Sequence, residues 1–100
     1  MEKRRPHYDL AQVQAEVALL GLTAFTAIAV DGGRAMGLTR ADMLMVIASL
    51  SHRNFYKSMT TYEDHRVWQD VYRAATSMRK DAYIKFTLRR SAPVIQFKEI

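Results

Sequence analysis

Residues 82–99 read AYIKFTLRRSAPVIQFKE, two runs of alternating apolar and polar side chains separated by a short polar stretch around Arg90 and Ser91. A period of two marks strands whose two faces meet different surroundings. Centring the turn between Arg90 and Ser91 opposes Ile84 to Phe97 and Phe86 to Ile95 on one side of the pair. The other side opposes Tyr83 to Lys98, Lys85 to Gln96 and Thr87 to Val94. One face belongs to a core, and the other is polar and basic. A slip of one residue would bury Lys85 or Lys98, so the pattern selects this register.

Working upstream, Asn54 to Thr60 and Val67 to Arg73 show the same β-branched and aromatic alternation, which makes four expected strands after Ser51. Before Ser51 the period is helical. Leu10, Val13, Val17 and Leu20 form one apolar stripe behind an Asp9 cap, with Gln12 in the third position. Met43, Val46, Ile47 and Leu50 form another behind the Thr39 and Asp42 capping pair. Between them Thr26 to Met36 reads as a helix stopped by Gly37, although its Gly32-Gly33 pair costs ~2 kcal/mol relative to alanine. Helices followed by strands predict an α+β fold, N-terminal helices packed on a mainly antiparallel sheet.

The 100 residues, 49% hydrophobic and 25% charged, suit a single domain over positions 1–100 and leave little room for a deep cofactor cleft. With no cysteine there is no disulfide framework, thiolate metal site or cysteine nucleophile, and a reducing cytoplasm is the expected location. No apolar run approaches a transmembrane span, and Pro6 to Asp9 follow the basic start where a signal peptide would need apolar residues. The net charge is +5. Five basic residues balance five acidic ones through residue 50, whereas the second half carries ten against five, so a polyanion is expected to meet the sheet.

His7, His52 and His65 lack partners at helical metal-site spacing, and no metal or other cofactor is expected. His65, in the charged stretch Tyr62-Glu63-Asp64-His65, reads as a solvated or capping residue before it reads as a general base. Asp31-Gly32-Gly33-Arg34 lacks the spacing of a phosphate loop, and Met36, Met43 and Met45 read as core fillers. The unusual stretch is 55–73, FYKSMTTYEDHRVWQDVYR, where aromatic, basic and hydroxyl side chains interleave. Such a mixture suits base stacking and phosphate contact with single-stranded RNA. It equally suits a hairpin with its aromatics in the core and its charges in water, and composition alone favours the hairpin.

That block, with the opening MEKRRPHYDL, the strand YIKFTL and the ending FKEI, resembles the MqsR family of motility quorum-sensing regulators over nearly the whole chain. The resemblance implies a ribonuclease toxin domain of RelE-like or YoeB-like fold that cleaves mRNA at sites with a GC core. It also implies a separate, MqsA-like antitoxin protein, with no direct DNA binding expected without it and no membrane partner. The family's active residues carry over onto Lys57, Gln69, Tyr83 and Lys98. Arg73, Lys85 and Tyr56 are the expected substrate-binding residues. Departures lie around Gly32-Gly33 and at Arg79-Lys80, where base preference and antitoxin contacts are affected more than chemistry.

The register places Tyr83 opposite Lys98 on the polar face independently of the resemblance. Metal-free cleavage by a 2′-hydroxyl needs a base, cations for the developing charge and an acid for the leaving oxygen. Lys57 and Lys98 are expected to hold the phosphate, Tyr83 to orient or protonate, and Gln69 to position substrate by hydrogen bonds. Clustered cations are expected to depress the pKa values of Lys and Tyr here. Two other functions compete. A non-catalytic nucleic-acid-binding regulator fits the basic half, but the Thr39–Leu50 helix carries only Arg40 and lacks a basic recognition face. A protein-interaction module would not need Lys57, Gln69, Tyr83 and Lys98 together.

Overall fold

The computed structural model describes residues 1–90 and 92–100, so the Ser91 half of the expected turn lies outside the described residues. The chain forms strand β1 (Glu2–Lys3), helices α1 (Leu10–Leu20), α2 (Ala27–Ala35) and α3 (Arg40–Ser49), then strands β2 (Phe55–Thr60), β3 (Trp68–Ala75), β4 (Asp81–Arg89) and β5 (Ala92–Glu99). The five strands lie side by side in chain order, each antiparallel to its neighbour. This is the α+β arrangement expected of helices followed by strands. The short β1 and two 3₁₀ turns, Gly21–Ala24 and His52–Asn54, have no periodic signal in the sequence. Among the described residues no helix is long and apolar enough to cross a membrane.

Each helix starts where a side-chain oxygen meets orphan amides. Asp9 accepts from the Ala11 N–H, Thr26 from that of Ala29, and Thr39 forms a reciprocal capping box with Asp42. At the end of α2, Gly37 takes a φ of +82° that a side chain would oppose, and Leu38 N–H closes on the Gly33 carbonyl at 3.1 Å. Gln14 of α1 donates to the Ile47 and Leu50 carbonyls at 3.0 and 2.9 Å, satisfying the end of α3 and locking the two helices together.

The helices cover one face of the sheet. Val13, Val17, Met43 and Ile47 pack above Tyr72, Ile84, Phe86, Ile95 and Phe97, all buried. The β4–β5 ladder runs from Ala82↔Glu99 to Arg89↔Ala92 and contains Ile84↔Phe97, Phe86↔Ile95 and Tyr83↔Lys98, as the alternation requires. Arg90, in the two-residue connection, has a φ of +50°, the left-handed backbone that tight hairpins demand. Met36 and Met43 fill the core as expected. Met45 does not: it is 64% exposed, because its position on α3 turns away from the sheet.

The Gly32-Gly33 pair, unfavourable for an isolated helix, is what lets α2 lie close to its neighbours. A Cβ at Gly32 would run into the Phe97 carbonyl oxygen of β5, and one at Gly33 into the Met43 sulfur of α3. Further contact comes from the Thr26 N–H, which donates to the Ile95 carbonyl at 3.0 Å beside a parallel bridge between Phe25 and Ile95. In this way α2 is held along the free side of β5.

Asp70 holds down the N-terminal segment. Its carboxylate, fully buried on the core face of β3, accepts from the His7 N–H at 2.9 Å, the Tyr8 N–H at 2.8 Å and the Ser58 hydroxyl at 2.7 Å. A buried carboxylate is tolerable only when donors replace its water, and here two backbone amides and a hydroxyl do so. The preceding residues are thereby laid alongside β2, where Glu2 pairs with Met59 and Lys3 with Ser58.

Gly32→Ala tests the packing of α2. Alanine is the better helix former by about 1 kcal/mol, yet its methyl group meets a backbone carbonyl that cannot rotate away. Urea unfolding should show a net loss of ~1–3 kcal/mol; a gain would mean that α2 does not lie against β5 as described.

Candidate active site

Alternation delivers one set of side chains to the face of the sheet that the helices leave open. Three cross-strand rows result. Arg73, Tyr83 and Lys98 form the first, from β3, β4 and β5. Lys57, Val71, Lys85 and Gln96 form the second across four strands. Glu2, Met59 and Gln69 belong to the third.

A β-bulge enriches this face. Phe55 pairs with Tyr72 and Lys57 with Val71, leaving Tyr56 as the extra residue. Without it Phe55 and Lys57 would share a face. With it, Phe55 turns to the core, its ring 5.5 Å from that of Tyr72, while Tyr56 and Lys57 both reach the open side. The sequence alternation hid this irregularity, because an inserted residue shifts the phase without changing residue types.

Tyr56 then becomes the centre of the cluster. The Arg73 guanidinium lies 3.9 Å from its ring centroid, Lys57 Nζ 5.4 Å and the Arg4 guanidinium 5.9 Å. Its ring meets that of Tyr83 edge to face at 6.5 Å, and Lys98 Nζ stands 5.5 Å from the Tyr83 ring. Aromatic faces carry partial negative charge, so two tyrosines let several cations share a small area. Arg4 also donates to the Tyr56 carbonyl at 3.4 Å.

One acid enters the group. Glu2 is salt-bridged to Lys57, whose side chain is only 18% exposed. The bond from Lys57 holds the Glu2 carboxyl below the usual carboxylate range. In return, the hydrogen bond to Glu2 raises the Lys57 pKa, with partial burial opposing it and the charge of Glu2 adding to it. The expectation that neighbouring cations depress the pKa is therefore wrong for Lys57, since a carboxylate in direct contact outweighs cations held further off.

All seven residues singled out from the sequence lie on this side of the molecule. Tyr56, Lys57, Arg73, Tyr83 and Lys98 converge on the two aromatic rings, and Lys85 neighbours them in the second row. Gln69 stands apart from that convergence, buried in the third row beside Met59. His65 is exposed in the loop between β2 and β3, where Arg66 and Asp64 pair with each other. Among the described residues no three His, Asp or Glu side chains gather as a metal-ligand set. Glu2 and Arg4 are the residues that sequence reasoning missed. They reach the site through a two-residue strand paired across more than fifty positions, a length too short to leave a pattern.

Beside the same face, between the first turn of α2 and strands β4 and β5, lies a cavity of about 300 Å³ whose walls include Ile28, Tyr83, Lys85, Gln96 and Lys98. The candidate site is thus a shallow cationic and aromatic surface with a pocket at its β5 side.

Two comparisons bear on what such a surface belongs to. The family model described as motility quorum-sensing regulator, toxin of MqsA, matches residues 5–99. The mRNA interferase toxin MqsR of Escherichia coli strain K12 is 41% identical over 99 residues, spanning 99% of each chain. The family match takes in all three helices and strands β2 to β5, and with the relative's near-complete coverage it shows that the chain belongs to the motility quorum-sensing regulator family, the toxins of MqsA.

Proposed function

We propose that this protein is an endoribonuclease toxin that cleaves single-stranded mRNA on the open face of its sheet, through attack of a 2′-hydroxyl on the adjacent phosphate. The observation that carries the reading is the convergence of Lys57, Arg73 and Lys98 on the paired rings of Tyr56 and Tyr83. Membership of a toxin family with an mRNA interferase relative supports it. The resemblance adds a preference for GC-containing sites, and the cognate MqsA-like antitoxin is the expected protein partner.

The chemistry follows from charge. As the 2′-hydroxyl gives its proton to a water molecule and its oxygen bonds to phosphorus, negative charge builds on the non-bridging oxygens and then on the 5′-oxygen, which departs with a proton from Tyr83 or solvent as its bond to phosphorus breaks. Fixed cations in a partly dry site stabilise that charge more strongly than water does. Lys57 is suited to this task because Glu2 keeps it protonated, and the same protonation unsuits it to act as the base. Lys98 holds the scissile phosphate with Lys57, and Arg73, braced by Tyr56, assists. Tyr83, between Arg73 and Lys98 in its row, orients the phosphate or donates to the leaving oxygen. Gln69, in the third row, positions the chain by hydrogen bonding further along it. The alternative of a non-catalytic binder would need cations spread along a groove; here they crowd around two rings, as a single phosphate requires.

The developing charge is met by protein cations, so cutting of a long single-stranded RNA should persist in excess chelator. Its products should carry 2′,3′-cyclic phosphate and 5′-hydroxyl ends. Cleavage abolished by chelator, or 5′-phosphate ends, would replace this mechanism with an activated-water one.

Lys98→Ala should lower the initial cleavage rate ~10²-fold or more, while its exposed side chain predicts a change in stability within about 0.5 kcal/mol. Cleavage equal to the parent's would remove Lys98 from the site.

A pH profile tests the Glu2–Lys57 pair. A lysine contributes charge below its folded pKa and loses it as the pH rises through that value, and Glu2 moves the loss to higher pH. In Glu2→Gln the fall of cleavage rate on the alkaline side should therefore begin at lower pH than in the parent. Coincident alkaline limbs would show that Lys57 is not the group whose charge is needed.

A further inference from the structure

The cavity beside β5 is formed by packing that the reacting cluster itself does not need. Thr26 ties the start of α2 to the Ile95 carbonyl, and Gly32 lets the helix close against Phe97. The first turn of α2 thereby stands as a wall beside the open face. On that wall Ile28 is 82% exposed, a large apolar side chain bordering a cavity whose other lining includes Lys85, Gln96 and Lys98. The volume, about 300 Å³, lies at the small end of ligand pockets. Tyr83 and Lys98 line the cavity and also belong to the cationic cluster, so the two spaces are continuous.

Single-stranded RNA is read by splaying a base out of the chain, packing its face on an apolar or aromatic side chain and pairing its edge with polar groups. The cavity offers each part. Ile28 supplies an apolar surface, and the Gln96 amide carries a donor and an acceptor side by side, which an ammonium cannot match. Lys85, opposite Gln96 in the ladder, and Lys98 supply positive charge for the phosphates on either side of that base.

We propose that this cavity is a nucleobase subsite: it receives the base of a nucleotide adjoining the scissile phosphate, with Ile28 packing on its face and Gln96 reading its edge. The proposal rests on the ribonuclease reading and adds to it the residue that sets base preference at one position. A polyanion fits the charge of the walls, and an extended RNA strand held at Tyr83 and Lys98 has its next base within reach of them.

Deep sequencing of the ends produced from a long single-stranded RNA tests it, with the parent, Gln96→Leu and Ile28→Ala compared under initial-rate conditions. For Gln96→Leu the structure predicts roughly a tenfold or greater loss of rate at the parent's preferred sites. Base preference should relax at one position next to the cut and persist at the others, with unchanged thermal melting. Ile28→Ala, whose exposed side chain contributes little to folding, should raise KM several-fold with kcat nearly kept. An unaltered preference in Gln96→Leu with unaltered KM in Ile28→Ala would overturn the subsite while leaving the ribonuclease reading intact. A uniform loss at all sites would overturn it too, by making Gln96 a general rather than a base-reading residue. A parent protein that cuts no RNA would end both readings together.

Discussion

The register between β4 and β5 is the constraint on which both halves of this molecule depend. Side chains alternate across a strand, so one choice of pairing decides two surfaces at once. With Phe86 opposite Ile95, the inner face gives the helices an apolar floor. With Tyr83 opposite Lys98, the outer face gains adjacent phenol and ammonium groups, and β3 extends the row with Arg73. A shift by one would place either Lys98 or Lys85 beneath the helices, where an unpaired charge costs far more than a hairpin can repay. The site therefore inherits its geometry from the core: the hydrophobic effect that closes the fold also holds the cations in place.

Two local devices finish the surface. The bulge at Tyr56 adds a second ring to the face without turning Lys57 inward, and the rings in turn keep like charges within a few ångströms of a common centre. Asp70 acts from the opposite side of the sheet. By binding the amides of His7 and Tyr8 it fixes the segment that carries Glu2 and Arg4 alongside β2. Groups aimed in advance need no reorganisation when charge develops on a phosphate, which is the physical content of a preorganised site.

Much of this was legible in the sequence, for identifiable reasons. Alternation from 82 to 99 contained the hairpin register, and the caps at Asp9 and Thr39 marked the starts of α1 and α3. Other features left no such trace. The Gly32-Gly33 pair looked like a defect because propensity describes a helix alone, whereas its purpose lies in contacts with Phe97 and Met43 from distant parts of the chain. Tyr56 was placed among substrate contacts, but its role as the hub depends on a bulge that composition does not encode. Glu2 was invisible for the same reason as β1: two residues paired across more than fifty positions form no period. It is also why the shift at Lys57 was expected in the wrong direction, since the nearest charge came from the unseen strand.

The central claim is that RNA lies across the open face of the sheet. It is tested most directly by following backbone amide shifts of the isotopically labelled protein during titration with an uncleavable 2′-O-methyl oligonucleotide spanning a mapped cut site. The account predicts perturbations concentrated at Tyr56, Lys57, Arg73, Tyr83, Lys85, Gln96 and Lys98, and extending to the first turn of α2. Perturbations confined to α1 and α3, with the open face silent, would contradict it.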